Sequence, residues 1–172
     1  DAGFSSRLHH RVLGVLRTMP IRISNPSSGS SGPLYGELDW DELSQRLGHT
    51  VIPERTTVTN RIRRIGAWDS DLARRFATIC RPDAIYLSFL DYLHPSLHQR
   101  CDLADIRSLA GDFLTRVEEQ TQAPVRWVSA APGQIIEVPR IGKESEAAFG
   151  LSTGIPAHSI LVQQQRRLIN RE

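Results

Sequence analysis

The run Ala84-Ile85-Tyr86-Leu87-Ser88-Phe89-Leu90, preceded by Pro82-Asp83 and closed by Asp91, decides the fold. A continuous apolar stretch of this length between turn residues marks a strand buried on both faces, the habit of parallel sheets. Downstream, Leu103, Ile106, Ala110, Phe113, Leu114 and Val117 recur at helical spacing, opened by Asp102 and closed near Gln120. Val125-Arg126-Trp127-Val128 then reads as a second strand. Strand, helix and strand in these lengths form a βαβ unit with parallel strands and a right-handed crossover. Residues 135–138 add a further short strand. The class expected is therefore α/β, a mostly parallel sheet with flanking helices.

Working back toward the start, residues 11–16 and 21–23 are short apolar stretches suited to strands, separated by Pro20. The breaker-rich run from Ser24 to Pro33 reads in isolation as a flexible linker. Asp39 with Glu42 is a plausible capping box, Leu43 and Leu47 share one face, and Gly48 supplies a stop, which predicts a short helix. Beyond Asp69, a second candidate cap, Leu72, Phe76, Ile79 and Cys80 recur at helical spacing up to Arg81-Pro82. Arg74 and Arg75 ride on that helix as a solvated face.

The 172 residues suffice for one domain with a real core, and the hydrophobic (40%) and charged (23%) fractions are those of an ordinary globular protein. A formal net charge of +2 makes the whole molecule no magnet for nucleic acid or membrane, so any attraction to anions must be local. No stretch reads as a transmembrane span or signal peptide. Cys80 and Cys101 lack metal spacing and read as thiols of a reducing cytosol, so a cytoplasmic location is expected. The first residue is Asp1 rather than Met, which suggests a fragment or a processed product.

Residues 55–69, Arg-Thr-Thr-Val-Thr-Asn-Arg-Ile-Arg-Arg-Ile-Gly-Ala-Trp-Asp, are too polar to be core. The guanidinium is a planar fork matched to carboxylate and phosphate oxygens, and threonine hydroxyls and loop amides satisfy the lone pairs left over. In an extended chain Arg61 and Arg63 share one face, with Arg64 on the other. Composition alone leaves two readings open, an anion-binding loop and a solvated surface turn.

The same run resembles T-T-x-T-G-R-P-R-R-x-G-W-x-D, the aspartate-binding loop of the adenylosuccinate synthetase family, ligases that make adenylosuccinate from IMP, aspartate and GTP. Asn60 stands for the glycine, Ile62 for the proline, and Ala67-Trp68 where the family has Trp and a hydrophobic residue. Asparagine tolerates the left-handed backbone a glycine often supplies, so the first exchange is mild. Arg22-Ile23 with Ser31-Gly32-Pro33-Leu34-Tyr35-Gly36-Glu37-Leu38 is similar to the family's T-T-R-V-G-x-G-P-F-P-T-E-L, which lies against the IMP ribose, with extra residues before the Gly-Pro. Asp91 falls on the guanine-reading aspartate of the family's T-K-L-D, but Phe89 replaces the lysine, either to stack on a base or to serve as sheet core. Residues 124–132, preceded by Glu118-Glu119, resemble E-E-x-T-G-V-P-V-x-I-I-S-T-G-P; Ser129 matches the serine and Ala131 stands where the glycine should be.

These motifs occur in the family's order over roughly residues 12–138, so the resemblance implies a fold like the C-terminal half of the synthetase. By the same resemblance residues 1–140 form the synthetase-like region and residues 141–172 an extension of unknown role. Aspartate would be held by Thr57, Thr59, Asn60, Arg61 and Arg63, and nucleotide by Ile23, Arg61, Arg63, Phe89, Asp91, Ser129 and Ala131. No phosphate loop like G-D-E-G-K-G and no counterpart of the catalytic aspartate or histidine is found, so the catalytic residues are unknown and no metal ligand is assigned. The implied reaction uses GTP or ATP with Mg²⁺ as its substrate complex, the ion being held elsewhere. A phage-type branch makes the 2-amino analogue from dGMP and can use an adenine donor.

The expected partners are a purine nucleotide and L-aspartate, with a complementary catalytic half or a second copy of the chain, and neither membrane nor nucleic acid. Alone the chain is expected to be inactive. The alternative is a catalytically incomplete nucleotide-binding sensor or interaction subunit.

Overall fold

A computed structural model of the protein describes residues 11–23, 31–98 and 102–139. Outside the described residues lie the expected extension 141–172, most of the breaker-rich loop (24–30) and Cys101. In order, the elements are β1 (Leu13–Arg17), β2 (Ile21–Ile23), β3 (Glu37–Leu38), α1 (Trp40–Leu47), β4 (Arg63–Gly66), α2 (Ser70–Cys80) and β5 (Ala84–Ser88). Two short 3-10 turns (Leu90–Tyr92 and Pro95–Leu97), α3 (Leu103–Thr121), β6 (Val125–Val128) and β7 (Ile136–Glu137) follow.

The main sheet has the order β1-β5-β6-β7, with β1 and β6 parallel to β5 and β7 antiparallel at the edge. The unit β5-α3-β6 is the βαβ expected from the sequence. Ile85, Leu87, Val125 and Val128 are buried and form one core with Ile106, Ala110, Leu114 and Val117 of α3. Each of the valine, leucine and isoleucine side chains here is worth about 1.5–3 kcal/mol when fully buried, so this one interface carries much of the stability. The helix is held at its start by a reciprocal capping box, Asp102 accepting from the amides of Ala104 and Asp105 while Asp105 accepts from the amide of Asp102.

A second, three-stranded antiparallel sheet, β2-β4-β3, was not evident in the sequence. Its strands are two to four residues long, and Arg63-Arg64-Ile65-Gly66 offers a single large apolar side chain to reveal the period. Ile65 is fully buried and joins Leu43, Leu47, Val51, Trp40 and Tyr92 in a smaller core. Pro20 is the divide between the two sheets: β1 ends before it, β2 starts after it, and its carbonyl accepts from the Gly66 amide at 3.0 Å.

The two helix starts expected to be capped behave differently. Asp69 caps α2, accepting from the amides of Asp71 and Leu72 at 3.0 Å each. Asp39 precedes α1 with extended backbone, but its side chain makes no capping bond, and Glu42 pairs instead with Arg46 at 2.6 Å, one turn on. The expected capping box is therefore absent, although Gly48 does end the helix in the left-handed conformation at φ 68°.

The apolar face expected for α2 is also displaced. Ala73 is buried and Phe76 half-buried, whereas Leu72 is 47% and Ile79 78% exposed. Close contact with β1 sets this rotation, because a Cβ on Gly14 would lie 2.9 Å from the Phe76 ring and 2.7 Å from Ile85 Cδ1. Leu72 instead lines an apolar groove of about 370 Å³ with Val15, Leu16, Trp68 and Phe76.

Candidate functional site

The Arg/Thr run folds as a hairpin. The Arg63 amide donates to the Glu54 carbonyl at 2.8 Å, Arg55 bridges Ile62, and the Thr56 amide donates to the Arg61 carbonyl at 2.9 Å. The Thr56 hydroxyl organises the tip: it accepts from the Arg61 amide at 3.0 Å and shares a 2.6 Å hydrogen bond with the Thr59 hydroxyl. Asn60 takes the left-handed conformation at φ 49°, which a small polar side chain tolerates, and its carbonyl accepts from Arg55 Nη1 at 2.9 Å. Thr57, Thr59, Asn60 and Arg61 are thereby grouped at an exposed tip.

Arg63 and Arg64, neighbours in β4, leave the small sheet on opposite sides. Arg64 is engaged by Glu37, with Nε 2.6 Å from Oε1, and donates to the Gly32 carbonyl at 3.0 Å. That fork holds Glu37 below the ordinary carboxylate pKa and secures the Gly-Pro segment to the sheet. Ile23 sits directly opposite Arg63 in the β2–β4 pairing. Arg63 Nη1 lies 3.8 Å from Glu54 Oε2, while its buried Nε has no hydrogen-bond acceptor. A half-buried guanidinium with an unused donor beside an exposed hydroxyl-rich tip is suited to an anionic ligand.

The remaining candidates sit at the carboxyl ends of β5 and β6, where open α/β sheets bind ligands. Phe89 leaves β5 at φ 64°, an uncommon conformation for an aromatic residue, and its carbonyl accepts from the buried Thr18 hydroxyl. The Phe89 ring packs against the smaller core and near Tyr92, and the Arg17 guanidinium lies 3.6 Å above its centre. Asp91 lies in the turn that follows; burial raises its pKa, while His98, His49 and Arg17 pull the other way. Ser129 is buried at the end of β6, its hydroxyl accepting from the Tyr86 hydroxyl at 2.9 Å and its carbonyl from the Leu90 amide at 3.0 Å. That last bond ties Ser129 to the Asp91 turn, and Ala131 follows as the acceptor for the Gln134 amide.

One contact joins the two groups, and sequence reasoning missed it. Arg17, at the end of β1, grips Glu54, at the base of the hairpin, with Nη1 3.1 Å from Oε2 and Nη2 on Oε1. The Tyr92 hydroxyl donates to Glu54 Oε1 at 3.3 Å. Burial, then the charges of Glu54 and Asp91, raise the pKa of that phenol, so it stays a donor. Through Arg17, Glu54 and Tyr92 the hairpin is fixed against the Phe89–Asp91 turn. The available signal was a charged residue closing an apolar strand, at the strand end where ligands gather. Among the described residues no group of three His, Cys, Asp or Glu side chains is placed to hold a metal ion.

No protein-family model matches the chain. It is 31% identical over 132 residues to the adenylosuccinate synthetase of Methanococcus aeolicus, which covers 77% of this chain and 36% of the relative. To the N6-succino-2-amino-2'-deoxyadenylate synthase of Vibrio phage phiVC8 it is 34% identical over 95 residues, 55% of this chain and 26% of the relative. Among solved structures, the cyanophage S-2L succinoaminodeoxyadenylate synthetase, bound to dGMP and dATP as an energy donor, matches with a TM-score of 0.57 at 28% identity, covering 76% of this chain and 34% of that one. The Plasmodium falciparum adenylosuccinate synthetase shares the fold, with a TM-score of 0.61 at 18% identity over 80% of this chain and 42% of that one. The chain thus spans about a third of the length of these relatives. Within that shared span, the chain is similar in sequence and fold to the adenylosuccinate synthetases and to the phage N6-succino-2-amino-2'-deoxyadenylate synthases.

Proposed function

We propose that this chain is the C-terminal, substrate-holding portion of an adenylosuccinate synthetase-like purine nucleotide ligase. The acceptor is IMP or a related purine nucleotide such as dGMP, the amine is L-aspartate, and the donor is GTP or another nucleoside triphosphate with Mg²⁺. Residues 1–140 carry this role, and residues 141–172 are an extension. The observation that carries the reading is the joining of the arginine hairpin to the Phe89–Asp91 turn through Arg17 and Glu54. Two recognition elements for different parts of one ternary complex are useful only when fixed relative to each other.

In the proposed reaction the γ-phosphoryl group passes to the purine 6-oxygen. The aspartate amine then attacks C6, the C6–O bond breaks, phosphate leaves and the amine gives up a proton. Arg61 and Arg63, with Thr57, Thr59 and Asn60, hold the aspartate carboxylates; Ile23 lies against the ribose; Asp91 and Ser129, with Phe89 and Ala131 beside them, hold the donor base. Phosphoryl transfer is the work of a complementary half or of a longer chain, so this chain alone does not turn over.

Isothermal titration tests the reading. The chain should bind IMP or dGMP and, in their presence, L-aspartate, while a mixture with GTP, Mg²⁺ and aspartate should yield no adenylosuccinate. Absence of binding by every nucleotide and by aspartate overturns it. A second reading, a nucleotide sensor or interaction subunit, draws on the short share of its relatives that the chain spans. Nucleotide binding that is indifferent to aspartate would favour that reading.

A further inference from the structure

We infer that Arg17 is a positioning residue that takes up the charge of Glu54 and so leaves Arg63 available to an anionic ligand, an inference that rests on the function proposed above. Glu54 stands between two arginines. Arg17 meets it with both terminal nitrogens, whereas Arg63 reaches it only through a 3.8 Å charge contact without a hydrogen bond. Arg17 is itself spent: its Nε donates to the Met19 carbonyl at 3.3 Å, and its plane lies on the Phe89 ring. Arg63 keeps a buried Nε without an acceptor, on the side of the small sheet that carries Ile23.

The asymmetry has an electrostatic consequence. Two guanidinium charges against one carboxylate leave an excess of +1, and the hydrogen-bond pattern puts that excess on Arg63. Without Arg17, the charge of Glu54, already 3.8 Å from Arg63, is no longer neutralised and competes with the ligand from a site where the side chains are only 21–30% exposed, so solvent screens it weakly. Arg17 also stacks on Phe89, so the side chain that sets the charge of the hairpin touches the turn assigned to the donor base.

The test titrates L-aspartate, in the presence of IMP or dGMP, into the wild-type chain, Arg17→Met, Glu54→Gln and the double variant. Arg17→Met should weaken aspartate binding about tenfold, the scale for unbalancing one half-buried charge. Adding Glu54→Gln to Arg17→Met should restore affinity to within about threefold, since the competing carboxylate is gone. A merely structural role for Arg17 predicts the opposite, a double variant as weak as the single or weaker. The Arg63 Nε–H resonance supplies a second readout, shifting in Arg17→Met and returning in the double variant.

Should Arg17→Met melt too low to titrate, Arg17→Lys replaces it. A lysine offers Glu54 one point contact instead of a fork, so binding should weaken by a smaller factor and again recover with Glu54→Gln. A wild type that binds aspartate together with an unaffected Arg17→Met or Arg17→Lys overturns this inference alone. A wild type that binds no nucleotide and no aspartate overturns the functional reading and this inference with it.

Discussion

Ile23 and Arg63 face each other across the pairing of β2 with β4, while Arg64, one residue on, faces Arg22 and is held by Glu37. The two neighbouring arginines should therefore fail in different ways. Arg63→Leu should weaken aspartate binding by about 1.5–3 kcal/mol, the range for a charge-assisted hydrogen bond, or roughly one to two decades. Its melting temperature should fall little, because a partly exposed ion pair contributes about 0–1 kcal/mol. Arg64→Leu should lower the melting temperature with aspartate affinity unchanged. Titration and melting curves on both variants check this, and equal losses of affinity would show that the hairpin does not discriminate between the faces.

Arg61 and Arg63 are expected to act on one ligand from the same loop. The double leucine variant should lose less affinity than the sum of the single losses, because the two share a partner. Full additivity, measured by the same titration, would assign them to separate ligands.

The two aspartates that precede helices give a paired stability test. Asp69→Ala removes the acceptor of two backbone amides and should cost about 0.5–2 kcal/mol. Asp39→Ala removes no capping bond and should be nearly neutral. Chemical denaturation of both variants reads the difference; equal losses would mean that the helix dipole, and not the hydrogen bond, is what each aspartate serves.

How legible these features were follows from where their information is kept. The β5-α3-β6 unit was readable because its apolar residues are dense and periodic. The small sheet was not, since Glu37-Leu38 and Arg63-Arg64-Ile65-Gly66 are too short to show a period and are fixed by pairing, Arg63–Ile65 with Ile21–Ile23 and Ile65-Gly66 with Glu37-Leu38. Asp39 and Asp69 carry the same local signal, yet one caps and the other does not, because a cap depends on side-chain geometry that the residue type only permits. The contact of Arg17 with Glu54 spans 37 positions and belongs to neither motif. A resemblance points to the residues that match a pattern, and the side chain that ties two patterns together has no place in either.

Gly14 is where β1 and α2 come closest. Gly14→Ala would drive a methyl to within 2.7 Å of Ile85 Cδ1 and 2.9 Å of the Phe76 ring, closer than carbon atoms pack. Overpacking of this kind costs about 1–3 kcal/mol. The companion variant Gly14→Ala/Phe76→Leu should recover part of the loss by making room, and a thermal melt in which Gly14→Ala alone is harmless would show that α2 moves freely on β1.

Asp91 should reveal itself through pH. Burial raises its pKa in the folded chain above the ordinary carboxylate value of 3.8, with its own backbone hydrogen bond, His98, His49 and Arg17 only partly offsetting the effect. A carboxyl group with a raised folded pKa contributes stability that is fully present below 3.8 and lost as pH rises through the folded value. At neutral pH the charged Asp91 therefore costs stability, and Asp91→Asn should melt higher than the wild type. That advantage should shrink on acidification and vanish once the wild-type carboxyl is protonated in both states. The same variant should bind guanine nucleotides more weakly, since an amide replaces one acceptor facing the N1 and N2 donors with a donor of its own. Melting curves from pH 3 to pH 8, run beside a GTP titration at pH 7, separate the two effects. An Asp91→Asn chain that melts lower at pH 7 would show that the carboxylate is a stabilising partner of His49, His98 and Arg17; one that melts higher and binds GTP undiminished would remove Asp91 from the base site.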